Sequence, residues 1–489
     1  MLTKSDYLKF HQCPKYLWLN KNRKDLLPVI SASLQKLFDV GFEVEAQAYR
    51  LFPGGVSADG ESFREAIEKT AKLVKALTPV IFQPTFSAGE LFCRCDIIVY
   101  DRRRQAWDVF EVKSSTEVKD VNLIDLAFQD ACLSEAGLKV GGLHIVHINN
   151  EYVRHGEIEP EKLLKSEDVT KDARAKSKEV RAGVKSAFAV LSEKGEPQVR
   201  ILSQCEDPYE CPFIEYCWRG IPERDSIYDA GLDDAKLNAL LDRGIMDVRE
   251  VPDEFVTRRI KLLYVEAARS GLVHLEKENI RAALAGLAYP LHFLDYETYS
   301  TAIPMFDGYR PYQRVTFQYS LHVRRSPRAK LEHYEFLAED AGDPAPALAE
   351  SLKRIIGPTG SVIAWNSSFE EGCNREMGER LPEYAEFFAS VNARLFDPMQ
   401  IVRQGFYAHK DFIGSASLKK VLPALIPGLS YEELAIQEGG TASDSWPKLI
   451  GKGLTAAEKS KLSADMRAYC GRDTESMVHI LDKFAEAAR

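Results

Sequence analysis

Long apolar segments are missing from this 489-residue sequence. No run approaches the roughly 18 consecutive apolar residues that a membrane-spanning helix needs. The opening stretch, MLTKSDYLKFHQCPKY, has no apolar core of the kind found in secretory signals. We therefore expect no membrane partner and take the cytoplasm as the default location. Internal repeats and low-complexity segments are also missing, which favours ordinary globular domains.

An excess of positive charge is missing as well, because 64 Lys and Arg residues stand against 73 Asp and Glu residues. The formal net charge of −9 gives no overall attraction to nucleic acid. A local basic groove or a bound metal ion can outweigh that mean, so a nucleic-acid enzyme is not excluded. The nine cysteines are odd in number, which argues against a disulfide framework in a cytoplasmic chain.

The patterns along the chain predict two α/β domains with a helical insert between them. Residues 86–115 are typical of strands, and residues 122–137 have helical apolar spacing that ends at a glycine. The charged residues 157–194 also predict helix. The insert is either a plain helical spacer or a helix-hairpin-helix-like element that binds the DNA backbone. The expected boundaries are 1–220 for the N-terminal domain, 221–285 for the helical linker and 286–489 for the C-terminal domain.

The stretch DIIVYDRRRQAWDVFEVK, which begins at Asp96, predicts a β-hairpin with a charged turn. If the turn centres on Arg103 and Arg104, two carboxylates face each other across the hairpin. They belong to Asp96 and Glu111, and Lys113 shares the face of the second. Neighbouring carboxylates repel unless a cation lies between them, and oxygen ligands suit Mg²⁺ or Mn²⁺. The alternative is an exposed sheet face with scattered charges.

A second group of carboxylates follows in the C-terminal part. In LHFLDYET, Asp295 and Glu297 lie two residues apart on an expected strand and share a face. In MRAYCGRDTESM, Tyr469 and Asp473 lie four residues apart on an expected helix and again share a face. Between them, VIAWNSSFEEG predicts a strand and then a helix that opens near Glu370. Such a set of carboxylates can hold two divalent ions about 4 Å apart for phosphodiester hydrolysis.

The N-terminal residues resemble the core of the PD-(D/E)XK nuclease superfamily in its RecB-like branch. Asp96 and the Glu111-Val112-Lys113 triplet carry the resemblance, and Gln129 resembles the glutamine that this branch has on the next helix. The resemblance implies a restriction-endonuclease-like fold. It also implies that Asp96 and Glu111 bind the metal while Lys113 assists.

Two positions depart from the RecB-like pattern. Cys95 stands where the family usually has proline before the aspartate. The histidine that the branch often carries on an N-terminal helix is replaced by Glu45 or Glu43 in DVGFEVEAQ, and Glu45 is the preferred candidate.

One early cysteine and three later ones bracket this N-terminal core. This arrangement is similar to the iron–sulfur nucleases, which include CRISPR-associated RecB-like exonucleases and AddB-type helicase–nuclease subunits. There a 4Fe–4S cluster holds the two ends of the nuclease domain together, although thiolates suit zinc equally well in principle. The C-x5-C-x5-C spacing departs from the common C-x2-C-x5-C form. The resemblance implies these cluster ligands: Cys13, Cys205, Cys211 and Cys217. The other five are expected to be core thiols: Cys93, Cys95, Cys132, Cys373 and Cys470.

The C-terminal motifs resemble the DEDD exonucleases, the DnaQ-like family with a ribonuclease-H-like fold. The order is a strand D-x-E, then N-x-x-F-(D/E), then a helical Y-x3-D, which is the pattern of the DEDDy subgroup. Tyr469 would orient the attacking water. The family's second motif normally supplies Asp rather than Glu370, and Asp397 competes as the fourth carboxylate. The implied metal ligands are Asp295, Glu297, Glu370 and Asp473.

The whole chain resembles a bacterial family that joins a RecB-like iron–sulfur nuclease domain to a ribonuclease-H-like domain. The resemblance implies a metal-dependent nuclease, most simply an exonuclease, that acts on single-stranded DNA or DNA ends, with RNA as a less favoured substrate. Two other classes stay open. One is an iron–sulfur protein that binds nucleic acid without cutting it. The other is an adaptor in a repair or defence complex, with one or both nuclease folds inactive.

Overall fold

The structure, a computed structural model, describes residues 1–489 with the exception of the side chain of Ala32. The mixed α/β architecture is as predicted, and the chain divides into two compact units. The first unit contains Met1–Gly220 and Thr301–Gln313, and the second contains Ile221–Ser300 and Arg314–Arg489. The predicted boundary of 286–489 places the short segment Thr301–Gln313 in the C-terminal domain, but this segment belongs to the first unit. The expected linker at 221–285 is part of the second unit. Within the described chain, no helix is both long and apolar enough to cross a bilayer.

The first unit combines short strands with helices. Its strands are β1 (Leu2–Thr3), β2 (Val56–Ser57), β3 (Val80–Phe82), β4 (Thr85–Ala88), β5 (Leu91–Arg94), β6 (Ile97–Asp101), β7 (Ala106–Val112), β8 (Val140–Ile148) and β9 (Leu164–Asp168). Its helices are α1 (Lys4–Gln12), α2 (Pro14–Asn22), α3 (Ala32–Tyr49), α4 (Phe63–Lys75), α5 (Asp120–Glu135), α6 (Pro160–Leu163), α7 (Thr170–Ala175), α8 (Ser177–Ser192) and α9 (Ile214–Trp218).

The main sheet of the first unit has the strand order β2-β3-β6-β7-β8-β9, and a smaller sheet has the order β1-β5-β4. Strands β6 and β7 form the predicted antiparallel hairpin, with Ile97 opposite Phe110 and Asp101 opposite Ala106. One further step along this register sets Asp96 opposite Glu111, so the predicted pairing is confirmed. Strand β8 runs parallel to β7, which requires a crossover, and α5 provides it.

Helix α5 occupies the predicted position. Its buried residues, among them Phe128 and Leu133, recur with helical spacing and join the main core of the unit. The helix ends just before Gly137, whose φ of +84° lies in the left-handed region that favours glycine at a helix C-terminus. The side-chain oxygen of Asn122 accepts a hydrogen bond from the Lys119 amide and stabilises the other end.

The expectation of continuous helix over residues 157–194 is wrong at β9. This strand, with the sequence LKSED, pairs antiparallel with β8 along the edge of the sheet. All but its first residue are exposed, so the local sequence carries no buried face that would identify a strand. Backbone pairing with β8 decides the conformation, and charged side chains are common on edge strands.

The second unit contains a mixed sheet and long helices. Its strands are β10 (His274–Leu275), β11 (Leu291–Tyr299), β12 (Val315–Arg324), β13 (Glu332–Leu337), β14 (Ser361–Ile363), β15 (Leu395–Phe396) and β16 (Tyr407–Ala408). Its helices are α10 (Asp234–Asp242), α11 (Arg259–Ser270), α12 (Lys277–Leu284), α13 (Ala345–Ile355), α14 (Ser368–Arg380), α15 (Ala385–Asn392), α16 (Met399–Arg403), α17 (Leu418–Leu425), α18 (Gly439–Ile450) and α19 (Ala456–Ala487).

The main sheet of the second unit has the strand order β13-β12-β11-β14-β15. Strand β12 is antiparallel to both of its neighbours, while β11, β14 and β15 run parallel to one another. Side chains of β11 alternate between two cores. Leu294 and Tyr296 pack with α13, α14 and α15, whereas Phe293 packs with Met477 of α19. Asp295 is two residues from Phe293 on the same strand, so its side chain lies on the same face of the sheet, the side of α19.

Candidate functional site

The hairpin of the first unit brings the predicted residues together. The Asp96 Oδ2 atom accepts a hydrogen bond of 2.7 Å from the Val112 amide on the facing strand. The side chain of Glu111 is almost completely buried, with 2% exposure for the residue. Lys113 Nζ lies 2.7 Å from Glu111 Oε1. A buried carboxylate within a sheet core is stable only with a counter-charge or hydrogen-bond donors close by.

Helix α5 adds two polar side chains to this cluster. Gln129 Nε2 donates to Glu111 Oε2 at 2.7 Å and to Asp125 Oδ1 at 2.9 Å, so the predicted glutamine does contact the hairpin. Lys113 Nζ also lies 3.0 Å from Asp125 Oδ2. A second lysine, Lys4 of α1, reaches Glu111 Oε1 at 2.8 Å. We call this group the Asp96 site. It comprises Lys4, Asp96, Glu111, Lys113, Asp125 and Gln129.

Two carboxyl groups of the Asp96 site, those of Asp96 and Asp125, differ in how readily they take up a proton. Burial, with the nearby charge of Glu111, raises the pKa of Asp96 to about 7 from its ordinary 3.8. Burial would also raise the pKa of Asp125, but Lys113 and Lys4 outweigh it and hold that pKa well below its usual range. Asp125 is thus a firmly ionised partner of two lysines, while Asp96 gains a proton readily near neutral pH.

A cavity of about 520 Å³ opens beside Asp96. Lys4 and Glu45 line it together with Asp96, so the preferred candidate from α3 lies at the site. Glu45 accepts hydrogen bonds from Tyr49 and Gln83 through the same carboxylate oxygen. Glu43, the other candidate, is exposed and is not among the residues that line the cavity.

The four cysteines that bracket the first unit converge on one small cavity. Cys13 lies between α1 and α2, and the others come from the 203–217 region around α9; all four line the same space. Burial raises the pKa of the Cys211 thiol to about 12, and the proximity of the other thiols adds to the effect. We call this group the cysteine quartet: Cys13, Cys205, Cys211 and Cys217. The prediction that the other five cysteines are buried is confirmed.

The second unit assembles the other predicted carboxylates. Asp295 and Glu297 project from β11 toward α19, and Tyr469 and Asp473 lie one turn apart on α19. Glu370, in the first turn of α14, has only 2% exposure. We call the acidic group the four-carboxylate site: Asp295, Glu297, Glu370 and Asp473.

Burial raises the pKa values throughout the four-carboxylate site, and like charges add to the effect at Asp295, Glu297 and Glu370. Burial, followed by the charges of Asp473 and Glu297, raises the pKa of Asp295 well above its usual range. Burial and the charge of Asp473 do the same to the pKa of Glu297. Burial also raises the pKa of Asp473 to about 6, although a hydrogen bond from Tyr431 and the charge of Lys419 oppose the change. The group is therefore short of positive charge.

Glu370 and Asp397 differ in what their oxygens contact. Among the described residues, Glu370 Oε2 is buried and has no hydrogen-bond partner. Asp397 accepts hydrogen bonds from the Asn366 and Met399 amides, each at 3.0 Å, and from the Gln400 side chain at 2.9 Å. Asp397 thus stabilises the start of α16 and the turn after β14. Glu370 is the carboxylate with a free oxygen.

A second cavity, of about 510 Å³, opens onto this site. Asp295, Tyr469 and Asp473 line it, and two cations, Arg403 and Lys419, lie on its wall. Lys419 Nζ lies 5.6 Å from the ring centroids of both Tyr431 and Tyr469. Positive side chains beside an acidic centre can hold the phosphates of a substrate.

Several residues of these sites could not be assigned by sequence reasoning. Lys4 and Asp125 belong to no sequence motif, because each joins the site from a separate helix: Lys4 of α1 contacts Glu111, and Asp125 of α5 contacts Lys113. Lys419 lies in α17 and Tyr431 in the connection after it, and the approach of both side chains to the site depends on the tertiary fold. The sequence predicts Cys470 only as a core thiol, although it directly follows Tyr469, and its Sγ lies 3.4 Å from Asp295 Oδ2.

Comparison with known sequences gives a match to a family described as "Domain of unknown function (DUF2779)" at residues 292–417. This range includes Asp295, Glu297 and Glu370 and ends before α19. The chain is 25% identical over 209 residues to "Uncharacterized protein MG366 homolog" of Mycoplasma pneumoniae (strain ATCC 29342 / M129 / Subtype 1), covering 38% of this chain and 31% of that protein.

A second relative is "Uncharacterized protein MG366" of Mycoplasma genitalium (strain ATCC 33530 / DSM 19775 / NCTC 10195 / G37). It is 24% identical over 210 residues, covering 39% of this chain and 31% of that protein. The chain thus spans about a third of the length of the curated relatives it matches.

Proposed function

We propose that this protein is a metal-dependent nuclease that hydrolyses phosphodiester bonds in DNA, as single strands or at ends. The observation that carries the proposal is the four-carboxylate site, where buried acidic side chains face one another beside a cavity. Buried like charges are strongly unfavourable unless a multivalent cation lies among them. The sheet, with one antiparallel strand between β11 and β13 and parallel strands beyond β11, supports a ribonuclease-H-like assignment for the second unit.

The donor set fits Mg²⁺ or Mn²⁺. The ligand atoms are carboxylate oxygens, which hard divalent ions prefer. The free Oε2 of Glu370 is an available ligand atom, and this supports Glu370 over Asp397 as the fourth carboxylate. When bound, a divalent ion would polarise the phosphate and lower the pKa of a water molecule.

The remaining residues would position the substrate and the water. Burial and the charge of Asp473 raise the pKa of Tyr469, so its hydroxyl stays protonated and can donate to a water or a phosphate oxygen. Arg403 and Lys419 are suited to hold phosphates, because they line the cavity beside Asp295. These contacts would fix the scissile bond against the acidic centre.

The Asp96 site is the second proposed centre. Its carboxylates, Asp96 and Glu111, with Lys113 beside them, support the PD-(D/E)XK assignment, and the parallel β7–α5–β8 arrangement is compatible with it. Glu45 lines the same cavity and could join as a ligand. Lys113 would then stabilise charge on the phosphate.

One observation favours a second candidate function for the first unit, which is binding without cleavage. Lys4 and Lys113 both contact Glu111, and both approach Asp125, at 3.7 Å and 3.0 Å. Two cations therefore already balance two carboxylates without a metal ion. In that case the first unit would recognise nucleic acid, alone or as an adaptor to other proteins, and only the second unit would cut.

We further propose a 4Fe–4S cluster at the cysteine quartet. Its support is the convergence of four thiols around one cavity. In tetrahedral zinc sites the sulfur atoms lie about 3.8 Å apart, as follows from a Zn–S distance of about 2.3 Å. In the described chain, no three of these four sulfur atoms lie within 4.8 Å of one another. The wider spacing favours a cluster over a single zinc ion. Free thiols suit a reducing compartment, so we propose the cytoplasm as the location.

The test is cleavage of end-labelled single-stranded DNA by anaerobically purified protein in Mn²⁺, with RNA of the same sequence in parallel. Asp473→Asn should lower cleavage by the second unit at least about a hundredfold, since it removes a ligand of the reacting centre. Asp465→Asn is the matched control, because Asp465 lies on the same helix and pairs with Lys461. Equal cleavage by Lys113→Ala and by the Lys113→Ala, Asp473→Asn double variant, a comparison that removes the contribution of the Asp96 site, or no cleavage by wild type, would overturn the proposal for the second unit.

A further inference from the structure

Cys470 is a fully buried thiol at the edge of the four-carboxylate site. Its S–H group donates hydrogen bonds to Asp295 Oδ2, with 3.4 Å between the heavy atoms, and to the Asp295 carbonyl oxygen, with 3.9 Å. Across the described residues, one group of three metal-ligating side chains has its ligand atoms within 4.8 Å of one another, and it consists of Asp295, Glu297 and Cys470. The nuclease proposal uses the two carboxylates and leaves the thiol without a role.

The spacing of these atoms matches coordination of one ion. Typical bond lengths are about 2.3 Å to a thiolate and about 2.1 Å to a carboxylate oxygen. On a tetrahedral ion, a sulfur and an oxygen ligand are then about 3.6 Å apart. The observed 3.4 Å between Cys470 Sγ and Asp295 Oδ2 is close to this value. Little movement would be needed for both atoms to bind the same ion.

An independent feature also points to a cation here. Glu370 is almost fully buried, and its Oε2 has no hydrogen-bond partner in the described structure. Its charge acts on both Asp295 and Glu297, so the free oxygen belongs to the same cluster. A buried carboxylate oxygen without a partner is strongly unfavourable, and a cation in the cluster would provide one.

We propose that Cys470 is a third ligand, with Asp295 and Glu297, of a divalent ion in the second unit, and that this ion is thiophilic. This inference rests on the proposed function, since it assigns the two strand carboxylates to the same metal centre, and it makes one of the two ions of that centre thiophilic while Mg²⁺ or Mn²⁺ fills the other position. Thiolates favour ions such as Zn²⁺, Co²⁺ and Cd²⁺ over Mg²⁺. On binding, the Cys470 S–H bond breaks, its proton passes to solvent, and a sulfur–metal bond forms without any change of oxidation state.

The experiment is titration of the anaerobically purified full chain with Cd²⁺, monitored by the ultraviolet charge-transfer absorption of cadmium thiolate. Wild type and Cys470→Ser are compared, so that absorption from the cysteine quartet cancels in the difference. Cys373→Ser is the matched control, because Cys373 is another fully buried thiol of the second unit. We expect Cys470→Ser to lose one thiolate band and to bind Cd²⁺ at least about tenfold more weakly. Cys373→Ser should match wild type. Identical titrations of wild type and Cys470→Ser would overturn the inference.

Two further variants keep the result interpretable if Cys470→Ser fails to fold. Asp295→Asn and Glu297→Gln, each made with all cysteines unchanged, should weaken the same Cd²⁺ band, because these carboxylates would bind the same ion as Cys470. A band that neither variant changes would overturn the inference. Cleavage of labelled DNA in Mg²⁺ is measured on the same samples. Loss of the band without any wild-type cleavage would support the metal site and refute the nuclease. Cleavage with an unchanged band in Cys470→Ser would leave the nuclease and refute the thiol ligand.

Discussion

Replacement of Glu370 by glutamine should stabilise the metal-free protein at alkaline pH. Burial raises the pKa of Glu370 to about 8 from its ordinary 4.5, and the charges of Asp397 and Asp473 contribute. A carboxyl with a raised pKa in the folded state favours folding most at acid pH, and this stability is lost as the pH rises from about 4.5 to about 8. Glutamine keeps the shape of the side chain and removes the charge.

The magnitude follows from the size of the pKa shift. Each pKa unit corresponds to about 1.4 kcal/mol. Between about pH 5 and about pH 8, ionisation of this one group should lower the free energy of unfolding by about 3 kcal/mol. For a domain of this size, that difference corresponds to roughly 6 to 12 °C in the unfolding midpoint. The advantage of Glu370→Gln over wild type should therefore be large near pH 8 and small near pH 5.

Calorimetry of metal-free wild type and Glu370→Gln at both pH values tests this reasoning. Glu371→Gln is the matched control, since it removes an exposed carboxylate from the same turn of α14. Added Mn²⁺ should stabilise wild type and should stabilise Glu370→Gln less, because the variant has lost a ligand. If Glu370→Gln is less stable than wild type near pH 8 without metal, the charge of Glu370 is itself stabilising and the argument from repelling carboxylates is refuted.

Three other predictions concern the first unit. In an Asp473→Asn background, the Mn²⁺ affinity of the Asp96 site should rise about tenfold from about pH 6 to about pH 8. The reason is that the pKa of Asp96, raised to about 7, leaves its carboxyl mostly protonated below neutral pH. An affinity that does not change with pH would contradict this prediction. Gln129→Ala should lower the unfolding midpoint, since it removes the hydrogen bonds to Glu111 and Asp125 and so lowers the free energy of unfolding by about 1–3 kcal/mol. A calorimetric midpoint equal to that of wild type would show that these hydrogen bonds contribute nothing to stability. Cys211→Ser should abolish the iron–sulfur absorption and destabilise the first unit. Cys373→Ser, the control, should do neither. Full iron content in Cys211→Ser would exclude Cys211 as a ligand.

The hairpin shows what could be predicted from the sequence of the first unit. Its register follows from local symmetry about Arg103 and Arg104, so the pairing of Asp96 with Glu111 could be predicted without tertiary information. Lys4 could not be predicted, because its position depends on how α1 packs beside the sheet. Strand β9 was missed for a related reason, since its conformation comes from pairing with β8 and not from its own charged residues.

The second unit shows a similar limit. The D-x-E pair and the Tyr469–Asp473 pair each follow from the period of one element, so both were predictable. The choice between Glu370 and Asp397 was not, because it depends on which oxygen already has partners. The position of Cys470 beside Asp295 depends on the packing of α19 against β11, and the sequence alone gives Cys470 no more weight than any other core thiol.

The proposed function assigns metal-dependent cleavage of DNA to the Asp96 site and the four-carboxylate site. The most direct measurement is cleavage of end-labelled single-stranded DNA in Mn²⁺ by wild type, Lys113→Ala, Asp473→Asn and the double variant, each verified as folded. We predict cleavage by wild type, loss of one product pattern in each single variant that disables an active centre, and no cleavage by the double variant. Cleavage by the double variant at the rate of wild type would refute the assignment of cleavage to these two sites.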